Sequence, residues 1–534
     1  MAPEGYRPRV TPTDEEKLEL ERVETNKTIA ETFSLPHEIL FVAVSPVPWP
    51  SERPSVERAG ANGIHKESGL GQAVSIAHVI GDNFGITDPG ELSWIIAGYS
   101  LTVGTFILFS GRLGDVFGYK TMYLVGMAWY SIWSMAAGLA VYSNDIFFIF
   151  TRVLQGIGPA IVLPNGLAIL GSSYPPGRRK AMVFACFGAT APGGSVLGAA
   201  FSGLFALAWW PWTFWCFSIV LAGVVVLGYF VIPSSLDSHR QPRKHGLMHL
   251  IITELDMAGT ITGVTGLVLL NISWNQAPIV GWSEPYVYIV LILGFLVLGA
   301  FFAIEMYYAK HPLIPFKAFK SDVSFVLGAI ACGWGCFGIW FYYTWQFLLV
   351  LRAEDPLLAT AHLSPVVVSG AVAAILTGAL IHRLGPPLVM LCSLVAFMLG
   401  TILVATLPID QNYWVQTFFA MIVTPFGMDM SFPAATLLLS DAVQRRHQGI
   451  AASLVSTVVN YSISIALGFG GTVEVNINKG GRTQADVLKG YRGALYLAIG
   501  LAGLGIAVCT VFLVKTVRAK RDSSKVVDSE SSDE

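Results

Sequence analysis

Runs of about twenty residues that are almost free of charge recur along nearly the whole chain, and no other feature limits the fold as severely. A hydrocarbon core of about 30 Å takes roughly 20 apolar residues to cross as a helix, and only helices or closed barrels satisfy their own backbone groups there. Charged residues are 13% of the 534 and apolar ones 54%, where a soluble domain averages about 25% charged. The expected fold class is all-α and multi-pass, with fourteen predicted transmembrane helices. These fall near 93–110, 121–141, 146–171, 180–206, 210–232, 255–274, 286–306, 322–351, 363–383, 387–407, 413–440, 448–472 and 493–515, after a broken first span made of 38–45 and 69–81.

The net charge is −2, and no basic stripe is interleaved with aromatics, which excludes nucleic acid as a partner. All six cysteines, Cys186, Cys216, Cys332, Cys336, Cys392 and Cys509, fall within apolar spans, where they read as small buried hydrophobes. No cofactor, metal or redox role is assigned. The six-residue stretch GWGCFG at 333–338 fits a nucleotide-binding glycine pattern, but it lies inside an apolar span with no strand before it. ATP hydrolysis is not expected, and neither is any other enzymatic activity.

Charge distribution sets the expected orientation. With fourteen spans both ends lie on one side, and short loops on that side hold fourteen lysines and arginines against five opposite. The positive-inside rule then places both termini in the cytoplasm. The polar stretch 1–37 reads as a disordered cytoplasmic tail, and 517–534 as an acidic one.

Between the second and third spans stands GRLGDVFGYK, residues 111–120, a glycine-rich turn carrying Arg112, Asp115 and Lys120. Two spans joined that tightly must lie side by side. The segment GALIHRLGPP, 378–387, aligns with it without gaps: Gly378 matches Gly111, Leu380 matches Leu113 and Gly385 matches Gly118, while His382 stands at the Asp115 position. Repeated halves are a common construction of secondary transporters, with cargo bound near the midplane between them.

With these motifs the chain resembles the major facilitator superfamily, and within it the fourteen-span drug:proton antiporters. GRLGDVFGYK matches the family's loop motif, and RVLQGIG at 152–158 its fourth-span motif. The stretches DMAGTITGVTGLVLLNISWNQAP (256–278) and TPFGMDMSFPAATLLLSDAV (424–443) are similar to fungal aminotriazole-resistance-type exporters, a subgroup that also includes boron exporters and low-affinity ammonium carriers. The resemblance implies an N-terminal six-helix bundle over 38–235, with its first span interrupted by 46–68. It implies a linker plus two extra spans over 236–320, including the connection HRQPRKHG at 239–246, and a C-terminal six-helix bundle over 321–516.

Among the lysines and arginines, Arg152 alone is expected inside a span, where a charge costs at least ~2.5–3.5 kcal/mol unless it finds partners. It is expected to face the cavity, and the resemblance implies a role in coupling protons to cargo; the alternative is a structural arginine bonded to carbonyls of a neighbouring helix. Asp429, the carboxylate nearest the middle of a span, is the second proton-coupling candidate, flanked by Gly427 and Pro433, or else a hydrogen-bonded structural aspartate. Gly111, Arg112, Asp115, Gly118 and Lys120 form the expected gating loop, in which Asp115 pairs with Arg112, Lys120 or a helix end and releases during transport. In the fifth span, GATAPGGSVLG carries Gly188, Pro192, Gly193, Gly194 and Gly198 and resembles the antiporter motif of exporters, with Ala191 where a glycine is usual. Gln72, His78, Asn165, Trp345, Gln346 and Asn460 are the cargo-contact candidates.

The first span is the anomaly. SPVPWPSERPSVERAGANGIHKES separates its two short apolar pieces, and prolines and charges of that density resist burial in a membrane helix. Residues 46–68 read as foreign to the span, as translated intron sequence would be. The function expected is a proton-coupled exporter of small organic molecules in a plasma membrane, acting as a monomer, with lipid, cargo and protons as its partners. An uptake carrier for ammonium or another small solute and a non-transporting membrane sensor are the alternatives.

Overall fold

The computed structural model describes residues 61–86, 89–173, 178–233, 255–309, 312–314, 322–442 and 448–530. The expected 1–37 tail, the apolar piece 38–45 and the 239–246 connection lie outside the described residues.

The described residues form sixteen α-helices. The first half contains α1 (Ala61–Val74), α2 (Ala77–Phe84), α3 (Pro89–Phe117), α4 (Tyr119–Leu139), α5 (Asp145–Ser173), α6 (Arg178–Ala206) and α7 (Pro211–Val231). A pair follows, α8 (Met257–Val280) and α9 (Pro285–Ala303). The second half contains α10 (Asp322–Gln346), α11 (Pro356–Leu363), α12 (Pro365–Leu384), α13 (Pro386–Ala405), α14 (Thr417–Ala442), α15 (Gln448–Ile477) and α16 (Gln484–Glu530). Proline opens α7, α9, α11, α12 and α13, at the position where its missing amide would have had no partner in any case.

Twelve helices among the described residues are long and apolar enough to cross a membrane. The two other expected spans are the first and the fifth. The fifth, α6, is one continuous helix of 29 residues, of which Pro192–Ala206 is counted as a shorter apolar helix. The first is α1 followed by α2, and it starts at Ala61, inside the stretch read as an interruption. Only Ser75 and Ile76 interrupt the run between the two, and backbone bonds from Ser75 to Gly71 and from Ile80 to Ile76 carry the turn across them. The prolines fall before Ala61, so nothing in 61–84 removes a backbone donor. At the other end α16 runs on to Glu530, through residues expected to form a disordered tail. A helix already nucleated by packing extends at little cost.

In the first half α1 packs on α6, and α5 packs on both α3 and α4; in the second, α13 packs on α14, and α10 on α15 and α16. Two seams join the halves, α3 against α15 and α6 against α12. The intervening helix α8 lies on the first seam, touching α3 and α15, and α9 packs on α8. Burial separates the roles: 72% of the apolar window of Gly90–Phe117 is buried, against 17% for Pro285–Tyr308. Of the extra pair, α9 is therefore peripheral, while α8 lines the seam. Large exposed side chains such as Ile132, Phe230, Ile292 and Leu296 face outward, as lipid requires.

Candidate functional site

The motif at 111–120 is more helical than its glycines suggest. Arg112 and Asp115 sit on the last turns of α3, and Gly118 alone separates that helix from α4, at φ 98 and ψ 138. Such a positive φ suits glycine and halts the helix, so the expected loop shrinks to one residue. Gly385, matched to Gly118 in the repeat, does the same between α12 and α13 at φ 81 and ψ 152. Gly114 is required by packing, since a Cβ there would lie 1.9 Å from Asn165 Oδ1. Gly111 meets the other half across the seam, with a Cβ position 3.1 Å from Ser453 Oγ.

Besides the Arg112 charge acting on Asp115, each charge of the motif has a hydrogen-bond partner of its own. Asp115 Oδ1 accepts the Tyr119 hydroxyl at 2.7 Å. Lys120 is buried, donating to the Tyr229 carbonyl at 2.9 Å and lying over that ring. Arg112 NH1 donates to the Pro312 carbonyl at 3.3 Å, and so reaches the segment after the extra helix pair.

Arg152 is wholly buried, and its hydrogen-bond and ring partners belong to the first half. Its Nε donates to the Ile95 carbonyl at 3.2 Å and its NH2 to the Gly69 carbonyl at 2.8 Å, while NH1 donates to Gln155 Oε1. Tyr99 lies under the guanidinium at 4.7 Å and bonds Tyr130 at 3.0 Å. Gln155 in turn donates to Ser134 Oγ at 2.6 Å. The arginine ties α1, α3 and α5 together inside the bundle, where the sequence suggested a side chain facing the cavity. The glycines of RVLQGIG make this possible: a Cβ on Gly156 would come 2.5 Å from the Tyr99 carbonyl, and one on Gly158 2.6 Å from Tyr130 Cβ.

Asp429 sits at the second seam. It is buried, and its Oδ2 has no hydrogen-bond partner. Across from it, a Cβ on Gly370 would lie 2.8 Å from that oxygen and 2.7 Å from Pro192 Cγ. The unpartnered carboxyl of one half therefore stands beside the antiporter-type proline of the other. Further along α6, Gly194 accepts the Ser68 hydroxyl at 2.8 Å, and a Cβ on Gly198 would lie 2.4 Å from the Ser68 carbonyl. These small residues bring α1 and α6 into backbone contact. Gly193 approaches Val367 of the other half, with a Cβ position 3.8 Å away. Gly188 lies on α6, and its surroundings are outside the described residues.

The cargo-contact candidates divide. His78 and Gln346 meet across the halves at 2.5 Å, and Gln346 Nε2, Gln72 Nε2 and Trp345 Nε1 are buried without partners. Asn165 and Asn460 instead donate to backbone carbonyls, although Asn165 Oδ1 is itself buried without a partner. Asn165 donates to the Ser110 and Ile161 carbonyls at 3.3 and 2.7 Å, and Asn460 to the Ser456 carbonyl at 2.8 Å. Four buried polar residues escaped the sequence reading. Glu305 and Asp256 meet at one end of the extra pair, and Glu474 accepts the Tyr343 hydroxyl at 2.7 Å. Ser464 bonds both the Ala97 carbonyl and Asn271 at 2.9 Å, linking α15, α3 and α8. A lone carboxyl near the end of an apolar run was the available signal for Glu305 and Glu474. Ser464 carried none.

Two helical halves with matching turns, meeting along two seams that hold buried polar groups, define a multi-pass membrane carrier. The chain belongs to the major facilitator superfamily, whose model matches residues 68–468 and 357–531. It is 53% identical over 451 residues to the low affinity ammonium transporter of Saccharomyces cerevisiae, covering 84% of this chain and 86% of that one. With the efflux pump terJ of Aspergillus terreus it shares 47% over 454 residues, 85% of this chain and 86% of the pump. The aminotriazole resistance protein of Saccharomyces cerevisiae is 40% identical over 456 residues, 84% of this chain and 82% of that one. The likeness to aminotriazole-resistance-type proteins thus extends over most of the sequence. The chain is a transporter rather than an enzyme.

Proposed function

We propose that this transporter exports small organic molecules by proton antiport, with its halves rocking around the seams. The observation that carries the reading is Asp429, whose buried and unpartnered Oδ2 lies at the seam beside Pro192. A carboxyl so placed is solvated by neither half and suits reversible protonation as the seam opens and closes. One proton moving down about 100 mV supplies roughly 2.3 kcal/mol, enough for a gradient near fifty-fold of a neutral cargo. The proposal includes fourteen spans, with α1–α2 as the first and α6 as the fifth. It places both ends and the 111–120 turn in the cytoplasm of a cell bounded by this plasma membrane, with the protein acting as a monomer. Arg152 would then brace α1, α3 and α5, of which α1 packs on the Pro192-bearing α6, and the turn at Gly118 would latch the cytoplasmic side.

The test is flux of 3-amino-1,2,4-triazole in proteoliposomes with an imposed pH gradient. The expected result is accumulation against the probe's gradient, driven by proton efflux, and loss of about tenfold or more of that accumulation in Asp429→Asn. Retained exchange of internal for external probe in the variant would confirm a coupling role. Proton-independent flux in the unaltered protein would overturn the antiport reading. The 53% identity to an ammonium transporter favours one second reading, uptake of ammonium or a similar small solute. Under that reading methylammonium accumulates in cells expressing the protein, and the triazole is not moved.

A further inference from the structure

One end of the extra helix pair is wired to the gating turn. Asp256 precedes α8 at φ 43, and its Oδ1 accepts the Gly259 amide at 3.1 Å, capping the helix. Glu305 lies in the π turn Ile304–Tyr308 that ends α9 and is the only carboxylate of that span. Both are buried, and only glycine fits between them. A Cβ on Gly259 would lie 2.3 Å from Asp256 Oδ2 and 2.7 Å from Glu305 Oε1.

From that position Glu305 holds the chain that follows. Its Oε1 accepts the Leu313 amide at 3.3 Å and its Oε2 accepts the Ile314 amide at 3.2 Å. A carboxylate spread over two successive amides fixes the direction of the carbonyl just ahead of them. That carbonyl belongs to Pro312, which has no amide of its own to compete, and it accepts Arg112 NH1 at 3.3 Å. Arg112 stands six residues, nearly two helical turns, before Gly118, the single residue on which α3 turns into α4. Glu305, residues 313–314, Pro312 and Arg112 form a continuous line of contacts from the end of α9 to the last turns of α3.

We propose that Glu305 is a positioning residue for the gating turn: by holding 312–314 it presents the Pro312 carbonyl to Arg112 and ties the extra pair to the gate. The link between segments stands on the contacts themselves, whereas its consequence for transport rests on the alternating-access reading above. None of the motifs of the sequence points to this residue. A carboxylate buried merely to cap a local turn would hold Leu313 and Ile314 but leave the 111–120 segment indifferent to its loss.

Amide hydrogen exchange on the full chain in lipid nanodiscs separates the two. In Glu305→Gln, exchange at Leu313 and Ile314 should rise about tenfold, the loss expected for one charge-assisted bond. Exchange across 111–120 should rise several-fold with it, and Arg112→Ala should raise exchange at 313–314 in return. Glu305→Asp, which keeps the charge and shortens the reach, serves if the glutamine variant fails to fold and should give the same pattern. Faster exchange at 313–314 with 111–120 unchanged, in either variant, overturns the proposal. In proteoliposomes the glutamine variant should lower the maximal rate of triazole flux several-fold at unchanged KM. If exchange is coupled as expected while the unaltered protein moves no triazole, the transport reading fails and the positioning role stands.

Discussion

Arg152 shows how a residue's environment reassigns it. Its type and place in RVLQGIG marked it from the sequence as costly and purposeful, because an unpaired guanidinium in a bilayer is unaffordable. What it purchases was not legible, since the Ile95 and Gly69 carbonyls that receive it lie on other helices. Arg152→Ala removes three buried charge-assisted bonds: the Ile95 and Gly69 carbonyls keep only their own helix bonds, and the Gln155 amide oxygen loses its donor, at about 1–3 kcal/mol for that orphaned group. Thermal melting in detergent should show a large loss of stability, and Arg152→Lys should recover only part, because an ammonium cannot span three fixed acceptors from one point. A melting curve unchanged by the alanine variant would contradict the bracing role. Asp115 is the converse case, exposed and bonded to the neighbouring Tyr119. Asp115→Ala should slow triazole flux while leaving triazole binding largely intact, and His382→Ala should slow it less; equal effects would remove the distinction between the two copies of the motif.

At the scale of elements, the glycine pattern was readable and its purposes were not. The gapless match of 111–120 with 378–387 paired Gly118 with Gly385, and both adopt a positive φ between abutting helices. The same alignment paired Gly111 with Gly378, yet a Cβ at Gly111 meets Ser453 and one at Gly378 meets nothing within 4 Å. Equal letters therefore predict unequal costs. Gly118→Ala and Gly385→Ala should each lose about 1–3 kcal/mol, because positive φ with extended ψ is open essentially to glycine alone, whereas Gly378→Ala should be neutral or slightly stabilising through better helix propensity. Melting of the three variants checks this, and a penalty at Gly378 as large as at Gly385 would defeat it. The helix at 61–84 was the element the sequence misjudged most. Apolar windows detect a span by hydrophobicity, but residues 61–68 are polar and helical, held where Gly71 and Ser68 meet α6.

For the whole molecule, the two seams determine what can move. His78 and Gln346 join the halves at 2.5 Å on the side opposite Gly118, and Gly203 lies against Leu357 nearby, with a Cβ position 2.9 Å from its side chain. Alternating access requires these contacts to part once per cycle. Joining His78→Cys to Gln346→Cys with a short thiol crosslinker should stop triazole flux, and reducing a cleavable linker should restore it. Flux that continues through the crosslinked protein would mean the halves do not separate there.

Length and hydrophobicity along the chain determined, without any structure, that this is a multi-pass helical membrane protein with an internal repeat, because bilayer thickness imposes a linear requirement that a linear sequence records. The glycines of its motifs were equally visible, since backbone conformations closed to other residues leave few choices. Which carboxyl stands unpartnered at a seam, which arginine braces a bundle, and which glutamate holds the amides beside Pro312 were decided only by tertiary structure. Those roles depend on acceptors and donors brought together from segments as far apart as Arg112 and Pro312, and sequence periodicity carries no record of such distances.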